Sequence, residues 1–174
     1  MPQDRRIWTI GHSTHSLDEF LDWIKAHKIE VLVDIRRHPG SRKYPHFNKE
    51  ALADSLPKSD ISYHHFEHLG GRRKTKPNSV NQVWRHPSFR GYADYMETSE
   101  FKTTIEDLKA IATENRTVIM CSEAVWWSCH RSMISDFLKA EGWEVLHIMS
   151  SDTTTEHPYT KPAKIEYGKL VYKE

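Results

Sequence analysis

The sequence predicts an α/β fold, organised as a single three-layer domain with a mainly parallel sheet of about five strands. Two observations favour this fold. Short apolar stretches typical of strands alternate with longer stretches that have helical periodicity, and polar turns separate them. A chain of 174 residues is also long enough for one substantial hydrophobic core. We therefore expect one domain over residues 1–174, with right-handed crossovers between parallel strands.

The predicted strands are short, and most of them are apolar. In chain order they cover residues 7–10, 31–36, 61–66, 117–121 and 144–149. The second is nearly all apolar before its last residues, which is typical of a strand covered on both faces of the sheet. The polar segment 150–160 predicts a loop, and the stretch after it, around Gly168, is compatible with a small C-terminal hairpin.

Helical periodicity fills the intervals between these strands. Ser16 and Glu19 form a capping-box pattern, so the first helix is predicted to begin there. Gly142 is a natural stop for the last helix. The remaining predicted helices cover residues 48–56, 89–96, 101–111 and 132–140.

Composition excludes several classes of protein. Hydrophobic residues make up 37% and charged residues 28% of the chain, which indicates a globular protein. A net charge of +1 argues against a strongly basic nucleic-acid-binding module, although it leaves room for a local basic patch. No apolar run approaches the roughly 20 residues of a membrane span. With two cysteines and no signal-peptide pattern, we expect a cytoplasmic protein with free thiols.

The segment 121–131 concentrates the reactive side chains. It contains both cysteines of the chain, together with a carboxylate, a histidine and an arginine. A predicted strand precedes the segment and a predicted helix follows it. Reactive groups at such a junction are typical of a functional site, because the strand end fixes them and the loop exposes them.

Cys129 is the stronger candidate for a reactive thiol. It lies at the predicted start of a helix, where backbone N–H groups and the helix dipole favour a thiolate, and His130 and Arg131 add positive character. The alternative is a small buried residue that only packs. Cys121 ends a buried strand and is more typical of a core residue. Glu123 is either a general base or the partner of an arginine.

Because the carboxyl ends of parallel strands meet at one edge of a sheet, the polar residues there are expected to share one rim. Arginine favours bidentate binding of phosphate or carboxylate, and glycine lets the backbone approach a ligand closely. Arg37 and Arg73 are expected on the solvated surface instead. The predicted binding residues are His12, Ser13, Asp34, Arg36, Ser41, Arg42, Gly70, Gly71, Arg72, Arg131, His147 and His157.

Three functional hypotheses follow. The first is an enzyme acting on an anionic small molecule, such as a nucleotide or another phosphorylated compound, with Cys129, Cys121, Glu123 and His130 as its catalytic residues. The second is a non-catalytic module that binds a nucleotide or nucleic acid. Its aromatic candidates are Tyr44, Phe47, Trp84 and Trp126.

The third hypothesis is a metal protein. A zinc site drawn from both cysteines, His130 and His147 lacks the compact spacing of known zinc motifs, so no metal ligands are predicted. The sequence does not identify a cofactor, and it indicates no membrane partner.

The same residues resemble the family called domain of unknown function 488. The matching segments are Gly11-His12-Ser13, residues 33–36 with Pro39, Ser41 and Arg42, Leu69-Gly70-Gly71, Tyr92-Ala93 with Tyr95-Met96, Cys121-x-Glu123 with Cys129-His130-Arg131, His147-Ile148 and His157-Pro158. Trp126-Trp127 departs from the family, whose members often carry proline and small or polar residues there. The resemblance implies an α/β domain with clustered Cys, His, Glu and Arg, and it implies positions only, without catalytic roles.

Overall fold

A six-stranded sheet lies at the centre of the structure, a computed structural model that describes residues 5–174. The strands follow the spatial order β3-β2-β4-β1-β5-β6. The first five are parallel to their neighbours, and β6 is antiparallel to β5. The sheet strands are β1 (Arg6–Gly11), β2 (Val31–Asp34), β3 (Ser62–His65), β4 (Thr117–Cys121), β5 (Glu144–Ile148) and β6 (Thr154–Glu156).

Helices cover both faces of this sheet, which gives the predicted three layers. They are α1 (Leu17–Ala26), α2 (Lys49–Ser55), α3 (Pro87–Tyr95), α4 (Ser99–Glu114) and α5 (Arg131–Ala140). One core lies between the sheet and α1 with α2, and the other between the sheet and α3, α4 and α5. Every residue of β2 and β4 is buried, because both faces of these strands pack against helices. The predicted α/β class is confirmed.

The helix ends agree closely with the sequence signals. The Ser16 side chain accepts a hydrogen bond from the Glu19 N–H (3.1 Å) at the start of α1. Gly142 follows α5 with a φ of 92°, a left-handed conformation that favours glycine. Helix α5 begins at Arg131, one residue before its predicted start, so Cys129 lies immediately outside its first turn.

The C-terminal region departs from the prediction in one element. Strand β6 lies in a segment predicted as a loop, because its three exposed residues carry no apolar alternation. The hairpin is confirmed: β7 (Ala163–Glu166) pairs antiparallel with β8 (Lys169–Tyr172). Its two-residue turn, Tyr167-Gly168, has positive φ at both positions, which matches the twist of a tight hairpin. Within residues 5–174, no helix is both long and apolar enough to span a bilayer.

Candidate functional site

The first turn of the chain and the cysteine segment meet at the carboxyl end of the sheet. Gly11 is the register partner of Cys121 on the neighbouring strand. Beyond the strands, the His12 N–H donates to the Cys121 carbonyl (2.9 Å), and the Ser13 N–H donates to the Ser122 carbonyl (3.0 Å). The predicted convergence of these two segments is therefore present.

Gly11 is needed because the two segments approach so closely. A Cβ atom at this position would lie 1.6 Å from the Glu123 carbonyl oxygen, which no side chain tolerates. That oxygen accepts a hydrogen bond from Arg131 Nη2 (3.1 Å), and the Cys121 sulfur lies 3.7 Å from it. The glycine thus permits the contact that holds the cysteine loop in place.

A cavity of about 740 Å³ opens at this edge of the sheet. It brings together most of the residues predicted to form the site. Those that line it are His12, Ser13, Arg36, Ser41, Gly71, Arg72, Cys121, Glu123, Cys129 and His130. Lining residues outside the predicted catalytic and anion-binding set include Arg37, Tyr44, His86, Ser88, Phe89 and Tyr92.

Six predicted binding residues do not line the cavity, and they are Asp34, Arg42, Gly70, Arg131, His147 and His157. Gly70 instead packs on Arg37, where a Cβ atom would come within 2.6 Å of the Arg37 Cα. Asp34, Arg131, His147 and His157 are buried behind the cavity wall.

Arg36 is committed to a buried ion pair. Its Nε donates to Asp34 Oδ1 (2.8 Å) and its Nη2 donates to Asp34 Oδ2 (2.7 Å). Nη2 also donates to the Phe47 carbonyl (2.6 Å), and the Tyr63 hydroxyl donates to Asp34 (2.7 Å). A buried pair with this many partners fixes the geometry of the wall and leaves Arg36 little net charge for a ligand.

His12 is a neutral acceptor in this wall. Its Nδ1 lies 2.9 Å from the Ser13 carbonyl, which can only accept, so Nδ1 carries the proton. Nε2 then accepts from Arg36 Nη1 (3.3 Å). Burial lowers the pKa of His12 to about 4, and the charge of Arg36 acts in the same direction.

Arg37 and Arg72 supply the positive charge that faces the cavity. Arg37 Nη1 donates to the Arg72 carbonyl (2.8 Å), which joins the two loops. Within residues 5–174, neither guanidinium forms an ion pair with a carboxylate. Arg37 was expected on the solvated surface, and it is half-buried while also lining the cavity. Arg73, in contrast, stacks on Tyr95 at 3.8 Å.

Cys129 lies in the cavity wall just before α5 and is 7% exposed. Its sulfur accepts a hydrogen bond from the Arg131 backbone N–H (3.4 Å). Burial by itself raises the pKa of this thiol, but the Cys121 S–H, the Arg131 N–H and the Arg131 guanidinium outweigh it. The pKa of Cys129 is therefore lowered. Burial raises the pKa of Cys121 well above its ordinary value.

His130 is placed to accept the Cys129 proton. Its Nε2 lies 3.0 Å from the Ile35 carbonyl, so Nε2 carries the proton and Nδ1 presents a lone pair. Nδ1 lies 3.4 Å from the Cys129 sulfur. Burial lowers the pKa of His130, which keeps the ring neutral. The sulfur, the imidazole and the carbonyl that orients it follow the logic of a nucleophile–base–orienter triad.

A buried hydrogen-bond relay runs behind the cysteine loop. Asp136 Oδ1 accepts from His157 Nε2 (2.8 Å), and His157 Nδ1 accepts from His147 Nε2 (2.8 Å). His147 Nδ1 contacts Thr9 Oγ1 (2.5 Å), which accepts in turn from Arg131 Nη1 (3.2 Å). With the N–H of each ring on Nε2, every donor in this relay points the same way, from Arg131 to Asp136.

Arg131 is consequently a buried cation that supports the site from behind. It is 1% exposed, and within residues 5–174 no carboxylate lies within ion-pair distance of it. Its Nε has no hydrogen-bond partner. The positive charge of Arg131 favours the thiolate form of Cys129, which lies two residues before it in the sequence. Trp126 stacks on His147 at 4.7 Å and covers the relay.

A metal site does not assemble from these residues. Within the described part of the chain, no three His, Cys, Asp or Glu side chains are arranged to hold a metal ion. His147, one of the residues from which a zinc site was drawn, lies in the relay, where both of its ring nitrogens have protein partners.

The aromatic candidates for base stacking are mostly used in packing. Phe47 is fully buried against the His12 ring, and Trp84 packs on Phe89 and Tyr172. Of the four residues named for this role, only Tyr44 lines the cavity. The structure therefore presents no row of exposed aromatic residues from this set along which a nucleic-acid strand would stack.

Comparisons with known proteins identify one family. A family model described as domain of unknown function DUF488 matches residues 16–138, which is more than half of the chain. Comparison with curated proteins and comparison with solved structures find no match. The matched range includes the cysteine segment and the loops after β2 and β3, and it excludes the Gly11 turn, His147 and His157. The chain belongs to the DUF488 family.

Proposed function

We propose that this protein is a thiol-dependent enzyme that acts on an anionic substrate bound in the cavity. The observation that carries the proposal is the contact of Cys129 with His130 in the wall of a cavity that Arg37 and Arg72 also line. A nucleophile paired with a base is the usual arrangement for covalent catalysis. Arg37 and Arg72 provide the complementary charge for a phosphate or carboxylate.

The size and lining of the cavity support a substrate as large as a nucleotide. About 740 Å³ lies within the range typical of small-molecule sites. Tyr44 and Phe89 offer aromatic surface, while Ser13, Ser41 and His86 offer polar groups. A phosphorylated compound with an apolar or aromatic portion matches this combination.

The reaction begins when His130 Nδ1 takes the proton of the Cys129 thiol. The sulfur then forms a bond to an electrophilic carbon or phosphorus of the substrate, and the bond to the leaving group breaks. The electron pair departs with the leaving group, which receives the proton from His130. Water then cleaves the adduct, giving its hydroxyl to the substrate group and its remaining proton to the sulfur. Glu123, the one carboxylate among the lining residues, is placed to activate this water.

Alkylation of Cys129 by two reagents of different charge tests the proposal. Iodoacetate is anionic and iodoacetamide is neutral, so we expect the cavity to favour iodoacetate relative to a free thiol. Replacing Arg37 and Arg72 with glutamine should slow the iodoacetate reaction about tenfold and leave the iodoacetamide reaction nearly unchanged. Inorganic phosphate should protect Cys129 in the wild type and lose this effect in the double variant.

Lys74→Gln is the matched control, because Lys74 is exposed in the same loop and does not line the cavity. It removes one positive charge and should alter neither rate. The proposal is wrong if the double variant slows both reagents equally, or if phosphate gives no protection at any concentration tested. Mass spectrometry after tryptic digestion, which reads the extent of labelling at Cys129, provides the measurement.

A further inference from the structure

We infer that Cys121 and Cys129 form a reversible intramolecular disulfide when Cys129 reacts with a hydroperoxide. This modification rests on the reactive Cys129 thiolate of the proposed function. It does not depend on the anionic substrate or on Arg37 and Arg72, so the two ideas are tested separately.

The two thiols occupy one site. Both line the same cavity, both are free and both are buried, with exposures of 1% for Cys121 and 7% for Cys129. Burial raises the pKa of Cys121 and the Cys129 sulfur raises it further, while Cys121 acts to lower the pKa of Cys129, so each thiol influences the other. They are the only cysteines in the sequence, so an intramolecular disulfide has a single possible connectivity.

The surrounding contacts hold the sulfurs in place from two sides. Cys121 ends β4, whose residues pair with β1 and β2, and Cys129 is fixed by the Arg131 N–H at the start of α5. The connecting loop, residues 122–128, is tied to the first turn through the Ser122 carbonyl. The Cys121 S–H donates weakly to the Glu123 carbonyl (3.7 Å), and disulfide formation requires the loss of this contact.

The environments of the two sulfurs assign them different steps. Cys129, with its N–H donor and the neighbouring Arg131 charge, is the sulfur that attacks. Cys121 lies deeper, and in the part of the chain that the structure describes no charged donor forms a hydrogen bond to its sulfur, so it stays protonated until Cys129 has reacted. This is the division between an attacking and a resolving thiol.

The chemistry balances with the hydroperoxide as oxidant. The Cys129 thiolate attacks the terminal oxygen of the peroxide, the O–O bond breaks, and an alkoxide or hydroxide leaves and takes up a proton. Cys129 is then a sulfenic acid. The Cys121 sulfur attacks the Cys129 sulfur, the S–O bond breaks, and the departing hydroxide combines with the Cys121 proton to form water. The two thiols are oxidised by two electrons, and the peroxide is reduced to an alcohol or water.

Oxidation should silence the site reversibly. A disulfide leaves no Cys129 thiolate for alkylation or for substrate, and a dithiol reductant restores both thiols by exchange. The expected result is loss of iodoacetamide labelling at Cys129 after peroxide treatment and its full return after reduction.

Intact-mass spectrometry of the full chain treated with stoichiometric hydrogen peroxide provides the test. We expect a mass decrease of about 2 Da, and both thiols should become unreactive. Both cysteines lie in one tryptic peptide, residues 117–131. Cleavage of this peptide after Glu123 by a glutamate-specific protease should leave its two halves joined, and reduction should separate them.

The single-cysteine variants assign the steps. Cys121→Ser should stop at the sulfenic acid, a gain of about 16 Da that dimedone traps, and Cys129→Ser should resist stoichiometric peroxide. If Cys121→Ser does not fold, Cys121→Ala replaces it. The mass change of the wild-type protein by itself still decides whether the disulfide forms. Three results for the wild type would overturn the inference: an unchanged mass, a disulfide between two chains, or a gain of about 16 or 32 Da. Gains of about these sizes correspond to a sulfenic or a sulfinic acid that has not gone on to a disulfide. If rapid alkylation of Cys129 in the reduced protein persists, the proposed function survives that failure.

Discussion

Replacing Asp136 with alanine should lower the free energy of unfolding by about 3–5 kcal/mol. Asp136 is fully buried in α5, and its carboxylate binds three parts of the chain. Oδ1 accepts from His157 Nε2 (2.8 Å) and the Thr160 N–H (2.9 Å). Oδ2 accepts from the hydroxyls of Thr160 (2.5 Å) and Tyr172 (2.8 Å). Removing this acceptor leaves several buried donors without a partner.

Urea-induced unfolding measures the effect, and amide hydrogen exchange locates it. We expect the C-terminal hairpin, held by Tyr172, to lose protection before the central sheet does. Asp136→Asn keeps one acceptor oxygen and should cost less than alanine. Asp107→Ala, on the exposed face of α4, is the matched control and should change stability by less than about 0.5 kcal/mol. A loss in Asp136→Ala no larger than that of the control would contradict the role assigned to this carboxylate.

Acidification from pH 8 to pH 5 should lower the stability by about 4 kcal/mol through two buried histidines alone. Burial lowers the pKa of His147 to about 2 and that of His12 to about 4. In the unfolded chain both titrate near pH 6.5. Below that pH the unfolded state binds protons that the folded state does not, so the folded state loses stability as the pH falls.

Unfolding midpoints in urea across this pH range provide the measurement. His147→Gln should reduce the slope between pH 7 and pH 5 even if it lowers stability at pH 8, because it removes one group that titrates only on unfolding. Exposed His38→Gln is the control and should leave the slope unchanged. A stability that is flat between pH 8 and pH 5 would show that these rings are protonated in the folded protein.

The fold was largely predictable because its signals are local. Apolar runs marked β1, β2 and β4, and Ser16 marked the start of α1. The common rim followed from a property of parallel sheets, which place the carboxyl ends of their strands together. Strand β6 was missed because its three exposed residues are held only by backbone pairing with β5, which leaves no pattern in the sequence.

The site was predictable as a location and less so in its details. Cys129, His130 and Glu123 line the cavity, as the strand-to-helix junction indicated. Arginine and histidine are typical ligand-binding residues, yet Arg131 and His147 lie behind the cavity wall and contact Thr9. Spacing in the sequence does not encode the tertiary contacts that decide whether such a side chain faces a ligand or the protein interior. Arg37, expected on the solvated surface, is half-buried and also lines the cavity, a position that spacing in the sequence does not encode.

The structure also explains why a fully buried arginine is retained beside the cavity. Arg131 contributes a charge and a backbone N–H to Cys129, while the relay to Asp136 satisfies part of its guanidinium without placing a carboxylate next to the thiol. An adjacent carboxylate would neutralise that charge and weaken the support for a thiolate. The relay therefore positions a cation next to the proposed Cys129 thiolate.

The pH dependence of iodoacetamide alkylation at Cys129 tests the central claim most directly, because only the thiolate reacts. The rate in the folded protein should rise with a midpoint below that of an ordinary cysteine, about 8.5. The same protein unfolded in urea should show the ordinary midpoint, and Cys121→Ser, which exchanges the S–H donor for a shorter hydroxyl, should shift the folded midpoint upward. A folded midpoint at or above that of the unfolded chain would contradict the assignment of Cys129 as an activated nucleophile.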